Sequence, residues 1–299
     1  MTKNLAKVSN SSILGLDIGN ALLKSSTGII LDSKITTIEP FEECNKLVLG
    51  GKTYWIGQGD YDTTYNKVKK PAYITMLYAL LALSTETIHN RIAVGLPLGQ
   101  YSENKEALVT LILKNNQNII EINGEEKSLV IDDIFVFPEG VSTLEDKEES
   151  IIIDLGGLTT DCALVVNEKD KRKIKKPVSI PIGTITLYTE LINRINSKYS
   201  LNLKIDDAER ILKNGLTLDG KKESIDFALE TYESYFNTLM SSLQANYDLR
   251  TNPISLTGGG ANILHEQLKA RLGDGLTMQK EPLFANANAF YELGCSLWE

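Results

Sequence analysis

Asp154 follows three consecutive isoleucines and precedes Gly156, Gly157, Thr159, Thr160 and Asp161, in a stretch that reads IIIDLGGLTTD. The isoleucine run suits a strand buried on both faces of a sheet, which puts Asp154 at the strand end. Gly156 and Gly157 permit a tight turn and a close approach of backbone to a ligand. Backbone N–H groups in such a turn suit phosphate, and an acid just before them suits a phosphate-bound Mg²⁺. Thr159 and Thr160 add hydroxyls beside those donors. The same stretch also fits an ordinary hairpin closed by an Asp-Gly turn.

The device recurs. Residues 13–24 read ILGLDIGNALLK, an apolar strand followed by Asp17, Gly19, Asn20 and Lys24. Two strand–Asp–x–Gly units read as a duplicated half-domain, each supplying one jaw of a phosphate clamp. A third cluster, SLTGGGA at 255–261, follows another apolar strand and leads into a helix. A strand-to-helix junction of this kind suits nucleotide binding.

Composition narrows the function classes. The 299 residues suit one large or two medium domains, with 42% hydrophobic and 23% charged residues as in ordinary globular proteins. A net charge of −8 argues against broad direct binding of nucleic acid or anionic membrane. Cys44, Cys162 and Cys295 fit neither a zinc spacing nor a disulfide framework, so a reducing cytoplasm is expected. His89 and His265 are the only histidines, which excludes a His-rich metal site. The first twelve residues lack the apolar core of a secretory signal, and no apolar stretch approaches a membrane span.

The elements that must position these residues alternate in type. Strands are expected at 13–16, 52–57, 91–96, 134–137, 151–153, 162–166, 178–182 and 254–256. Helices are expected at 71–83, 104–113, 184–198, 206–213, 225–247, 261–271 and 287–297. Asn123-Gly124 is the strongest hairpin signal. Asp206 and Glu209 match a capping box. The basic run KDKRKIKK at 169–176 reads as a solvated hairpin tip, with an acidic or DNA contact as the alternative. The pattern is α/β, with a mixed sheet in each half and a ligand cleft between the halves.

These residues resemble the actin and sugar-kinase superfamily, and within it the ParM-type bacterial actins that segregate plasmids. Asp17, Gly19 and Lys24 stand in the first phosphate motif, Asp-x-Gly-x4-Lys. Glu139, in VFPEGV, stands where the family orients the attacking water. Asp154, Gly156, Gly157, Thr159 and Asp161 match the second phosphate motif, and Gly258, Gly259 and Gly260 the adenosine motif. PAYITMLYALLALS, VGLPLGQY and ANANAF are also similar. The chain departs from many relatives in carrying Ala289 and no glycine between Asn286 and Gly294, a stretch tied to the adenine edge.

The resemblance implies an actin-like, ribonuclease H-like fold of duplicated domains at 1–150 and 151–299, with small subdomains at about 35–70 and 197–229. It implies an ATPase, with GTP an open alternative, whose triphosphate drives filament assembly in the cytoplasm. Asp17 and Asp154 would hold Mg²⁺ through water, and Lys24 would neutralise phosphate charge. The turns at Gly19–Asn20 and Gly156–Gly157 would bracket the phosphates. Gly183 and Gly258–Gly260 would admit the nucleoside, with Glu209 and Arg210 within reach of adenine or ribose. The partners implied are further copies of the chain and a DNA-binding adaptor of ParR type, without direct nucleic-acid or membrane contact. Two rivals share the fold: a small-molecule kinase with Asp161 as base, and a non-hydrolysing membrane-linked scaffold.

Overall fold

The computed structural model describes residues 11–169 and 171–298. Most of the segment read against a secretory signal lies outside these residues, as does Asp170 of the basic run. The chain divides into two compact units, Met1–Leu144 with Leu283–Glu299, and Glu145–Pro282.

The first unit opens with β1 (Ser12–Ile18), β2 (Leu22–Ser25), β3 (Ile30–Asp32), β4 (Lys34–Thr36), β5 (Asn45–Leu49) and β6 (Lys52–Tyr61). Then come α1 (Tyr73–Ser84), β7 (His89–Leu96), α2 (Leu98–Leu113), β8 (Gln117–Ile122) and β9 (Glu125–Pro138). All nine strands form one sheet, ordered β3-β2-β1-β7-β9-β8-β5-β6-β4. The segment expected as a small subdomain at 35–70 thus contributes an edge of the main sheet, β5 pairing with β8. Helix α1 is apolar on every side, and residues from Tyr73 to Ala82 are almost all buried, the pattern of a helix enclosed by core. The β8–β9 turn has positive φ at Asn123 (53°) and Gly124 (86°), as the Asn-Gly pair required.

The second unit contains β10 (Ser150–Leu155), β11 (Thr160–Glu168), β12 (Lys171–Ile180), α3 (Thr184–Tyr199), α4 (Asp207–Asn214), β13 (Leu216–Leu218) and β14 (Lys221–Glu223). It continues through α5 (Asp226–Asn246), β15 (Ile254–Thr257), α6 (Ala261–Leu272) and β16 (Leu276–Met278). Its main sheet runs β12-β11-β10-β15-β16. Every residue of β10 is buried, as the isoleucine run demanded. Most of the basic run pairs with β11 as strand β12 instead of forming a tip. α4 and the β13–β14 hairpin fall in the region expected as the second small subdomain.

The closing helix α7 (Ala285–Trp298) is grouped with the first unit. It packs on β1 and β7. A Cβ on Gly15 would sit 2.0 Å from the Ala287 carbonyl oxygen, so β1 carries glycine where α7 presses on it. Among the described residues no helix is long and apolar enough to cross a membrane.

Candidate functional site

In the first unit, β1 and β2 form a hairpin whose register sets Asp17 opposite Lys24. The seven-residue spacing therefore makes a cross-strand ion pair, Lys24 Nζ to Asp17 Oδ2 at 2.6 Å, with both side chains buried. Gly19 closes the turn, and a Cβ there would meet the Leu22 carbonyl oxygen at 2.4 Å. Asn20, also buried, accepts a hydrogen bond at Oδ1 from Lys70 Nζ at 3.3 Å.

Glu139 stands just past β9, its N–H donating to the Leu96 carbonyl at 2.9 Å. Lys67 Nζ donates to Glu139 Oε1 at 2.5 Å, and the Lys67 side chain is 1% exposed. Gly140 follows at φ +69°, and its N–H donates to Asn286 Oδ1 of α7 at 2.9 Å. The segment around Asn286, tied by resemblance to the adenine edge, thus braces the glutamate turn of the first unit.

Lys67 and Lys70 belong to a 3-10 turn, Lys67–Lys69, and its flank. The Asn66 side chain caps it, and Gln100 clamps it by accepting from Lys67 N–H and donating to the Tyr65 carbonyl. Burial and the neighbouring Lys67 charge hold Lys70 down to about 8. One turn on, Tyr73 is fully buried with a hydroxyl that has no partner among the described residues. Burial, then the charges of Glu139 and Asp17, push that hydroxyl far above its ordinary range. Tyr73 therefore lies within electrostatic reach of both acids. Sequence reading missed Lys67, Lys70 and Tyr73. Neither lysine falls in a motif; the usable signal was their position just before an apolar helix.

In the second unit, β10 and β11 make the matching hairpin. Asp154 is in register with Asp161 on one side and Thr257 of β15 on the other. The Gly156 N–H donates to the Thr159 carbonyl at 2.9 Å, closing the turn. Thr159 Oγ1 donates to Asp161 Oδ2 at 2.8 Å, and Ser179 Oγ donates to Asp161 Oδ1. The first amides of α3 donate back to the turn, Thr184 N–H to Gly156 O at 3.0 Å and Ile185 N–H to Gly157 O at 2.9 Å. Gly183 is required there, since a Cβ would come 2.5 Å from the Gly156 oxygen.

The glycine triple closes on the same acid. Gly258 has φ +91°, and a Cβ on it would lie 2.3 Å from Asp154 Oδ1. Gly259 continues the turn, half-buried, and Gly260 N–H donates to Leu155 O at 3.0 Å before α6 begins. The Thr257 hydroxyl is buried without a partner among the described residues. Burial first, then the carboxylates of Asp161 and Asp154, push the Cys162 thiol well above its usual range. That thiol is an inert neighbour of the two acids.

A cavity of about 700 Å³ in this unit is lined by Glu209, Lys213, Tyr232, Phe236, Asn262 and Ile263, among others. Glu209 also accepts from Tyr188 Oη at 2.9 Å. The expected capping box does not form: Asp206 has helical φ/ψ of −66°/−19° and makes no cap bond. Asp207 Oδ2 instead accepts from Lys204 N–H at 3.0 Å. Arg210 turns to Asp207 at 2.8 Å and is not among the cavity residues. His89 and His265 each hydrogen-bond one acid, Asp132 and Glu266, at 2.8 Å.

Within each unit, the donors around its acid–glycine turn fit a phosphate group and a hard cation. At Gly19, Gly183 and Gly258 a Cβ would collide with neighbouring protein atoms, so glycine lets each turn close tightly; the acids beside the turns at Gly19 and Gly258 are carboxylates, which suit Mg²⁺. Because Lys24 already pairs with Asp17, the residues fit a metal held through water better than direct ligation at that acid.

Two α/β units, each with an acid–glycine turn at a strand end, define an actin-like protein. The family model for the actin-like protein N-terminal domain matches residues 15–141, and that for the C-terminal domain of the MreB-like archaeal actin homologue matches residues 152–270. The chain belongs to the actin-like proteins. It is similar to the ParM of a 15-stranded filament from Clostridium botulinum, at 17% identity and TM-score 0.76 over 96% of this chain and 100% of that one. It is similar to a non-polymerisable quadruple mutant of pCBH ParM, at 18% identity and TM-score 0.80 over 96% and 100%. It is also similar to Ta0583, an archaeal actin homologue solved with ADP, at 20% identity and TM-score 0.79 over 95% and 99%. No curated protein matches the chain.

Proposed function

We propose that the chain binds and hydrolyses a nucleoside triphosphate, ATP with GTP an open alternative, and polymerises with it. The observation that carries this reading is the recurrence of one device: Asp17 and Asp154 each end a strand at a glycine-tight turn, with Gly258 moulded against Asp154. Phosphoryl transfer to water depends on positioning and charge neutralisation, which these residues supply. Gly19 and Asn20 in one unit, and Gly156, Gly157 and Thr159 in the other, would cradle the phosphates. Lys24 would neutralise them, and Asp17 and Asp154 would hold Mg²⁺ through water. Gly183 and Gly258–Gly260 would admit the nucleoside, with its base in the cavity beside Glu209 and Asn262. Glu139 would orient the attacking water. When bound, Mg²⁺ supplies charge neutralisation at the transferred phosphate.

Assembly into filaments rests on similarity to the ParM filament. Segregation of plasmid DNA through a basic adaptor of ParR type is the finer reading, supported by that similarity and by the net charge of −8. Action in the cytoplasm accords with three free cysteines. The kinase alternative is weakened because both Asp161 oxygens already accept hydroxyl hydrogen bonds, which makes Asp161 a poor base.

The test is purified protein mixed with Mg²⁺-ATP or Mg²⁺-GTP, followed by light scattering, phosphate release and electron microscopy. Scattering and filaments with triphosphate, absent in Asp154→Ala, are expected. Full binding and hydrolysis by Asp154→Ala would sink the assignment.

A further inference from the structure

We propose that Lys70 is an anion-contacting residue whose counter-charge is a phosphoryl oxygen, bound at a subsite of the first unit built by the turn at 66–70. The inference rests on the phosphate reading above and extends it to a residue outside every motif of the sequence.

Lys70 is 4% exposed. Among the described residues its ammonium makes one hydrogen bond, to the neutral Asn20 side chain at 3.3 Å, and no carboxylate lies within ion-pair distance. An ammonium has three donors. The charges that act on it do not neutralise it. Lys67 repels it, the attraction of Asp62 is weaker than that repulsion, and Asp62 Oδ1 already accepts from the Thr64 N–H. Lys67 is itself committed to Glu139, and Lys24 to Asp17.

A buried charge without a partner is costly, and proteins retain one where a ligand completes it. The second observation is independent. The Tyr73 hydroxyl is fully buried, has no partner among the described residues, and lies within electrostatic reach of Glu139 and Asp17. Tyr73 follows Lys70 by three residues, its N–H donating to the Lys70 carbonyl at 3.1 Å, and a buried donor with no acceptor on the same turn as an under-neutralised ammonium calls for an anion with several acceptor oxygens. Asn20 places the ammonium next to the turn at Gly19, where phosphate is already expected. The clamp by Gln100 and the Asn66 cap hold the turn before any ligand arrives.

The anion has two possible sources, the terminal phosphate of a nucleotide or free orthophosphate. The test uses the full chain, wild type and Lys70→Met, with Lys70→Gln as a second variant. Without ligand, both variants should melt at or above the wild-type temperature, because an uncompensated buried charge has been removed. A lower melting temperature in both variants would mark Lys70 as a structural cation and overturn the proposal. Inorganic phosphate, against chloride of matched ionic strength, should raise the wild-type melting temperature and leave the variants unmoved. Titration with Mg²⁺-ATP and Mg²⁺-ADP separates the sources. Contact with a terminal phosphate weakens triphosphate binding by about tenfold or more and diphosphate binding by less than about twofold, the range of a charge-assisted hydrogen bond. Loss of the phosphate response with both nucleotide affinities intact assigns the site to orthophosphate. Variants that match wild type in both arms overturn the proposal and leave the nucleotide reading standing. A wild type that responds to phosphate but binds neither nucleotide sinks that reading and keeps the anion site.

Discussion

At the scale of single residues, Gly258 meets two demands at once. Its φ of +91° disfavours any side chain, and a Cβ would collide with Asp154 Oδ1 at 2.3 Å. Gly258→Ala should destabilise the protein by about 2 kcal/mol or more, from overpacking and left-handed strain together, and should displace Asp154. Gly275→Ala is the control, since open space surrounds that position; it should be near neutral. Denaturant unfolding of the two variants checks the contrast, and equal midpoints would sink it. Lys70 supplies a second prediction. Its folded-state value of about 8 lies below the ordinary lysine value of 10.5. Between those values the unfolded chain holds more protons, so this group's contribution to stability rises with pH. Below pH 8 the full penalty of burying the charge is present. Lys70→Met should therefore exceed wild type in stability near pH 7, with a gap that narrows from pH 8 to 9.5. Taking the difference removes the shared titration of buried tyrosines. A gap that stays constant over that window would refute the assignment.

At the scale of elements, the closing helix α7 supports the glutamate turn. Asn286 Oδ1 accepts from the buried Gly140 N–H next to Glu139. Asn286→Ala leaves that donor unsatisfied, at a cost of about 1–3 kcal/mol. Faster hydrogen exchange at residues 139–141 and a lower unfolding midpoint are the expected results; unchanged exchange would show that β9 alone fixes the turn. None of this dependence was legible in the sequence. The 287–297 periodicity gave a helix, but not its return to the first unit, because side-chain spacing carries no information about which sheet covers a helix. The reverse holds for the acid–glycine turns. β10 was legible from Ile151–Ile153 because a strand buried on both faces must be continuously apolar, and the Asp17–Lys24 pair follows once a hairpin is drawn through Gly19. The capping box at Asp206 was misread because Asp207, one residue on, competes for the same role and takes it. Lys67 and Lys70 were hidden because long charged side chains are normally solvated, and only tertiary burial turns them into site residues.

At the scale of the whole molecule, the question is what hydrolysis would do to an assembly. A subunit that closes differently around triphosphate and diphosphate shifts its population between two forms, limited by its differential affinity for them. If only the triphosphate form presents matching surfaces, a head-to-tail contact that does not close on itself gives an open polymer. Such a polymer decays once its nucleotide is spent. Glu139 should contribute to the chemical step and little to holding nucleotide, since it pairs with Lys67 and sits on the turn after β9. Glu139→Gln keeps the shape and an acceptor for Lys67 but removes the charge proposed to orient water. The variant should bind triphosphate within about twofold of wild type and polymerise, while hydrolysis slows by roughly 10²-fold or more, the range for loss of a positioned acid–base group. Its polymer should then outlast the wild-type polymer by a similar factor. Following scattering and phosphate release together after limiting Mg²⁺-ATP reads both quantities in one sample. Slow release with normal decay would separate disassembly from hydrolysis. Normal release would remove Glu139 from the chemistry and return the water-orienting role to another group near Lys67.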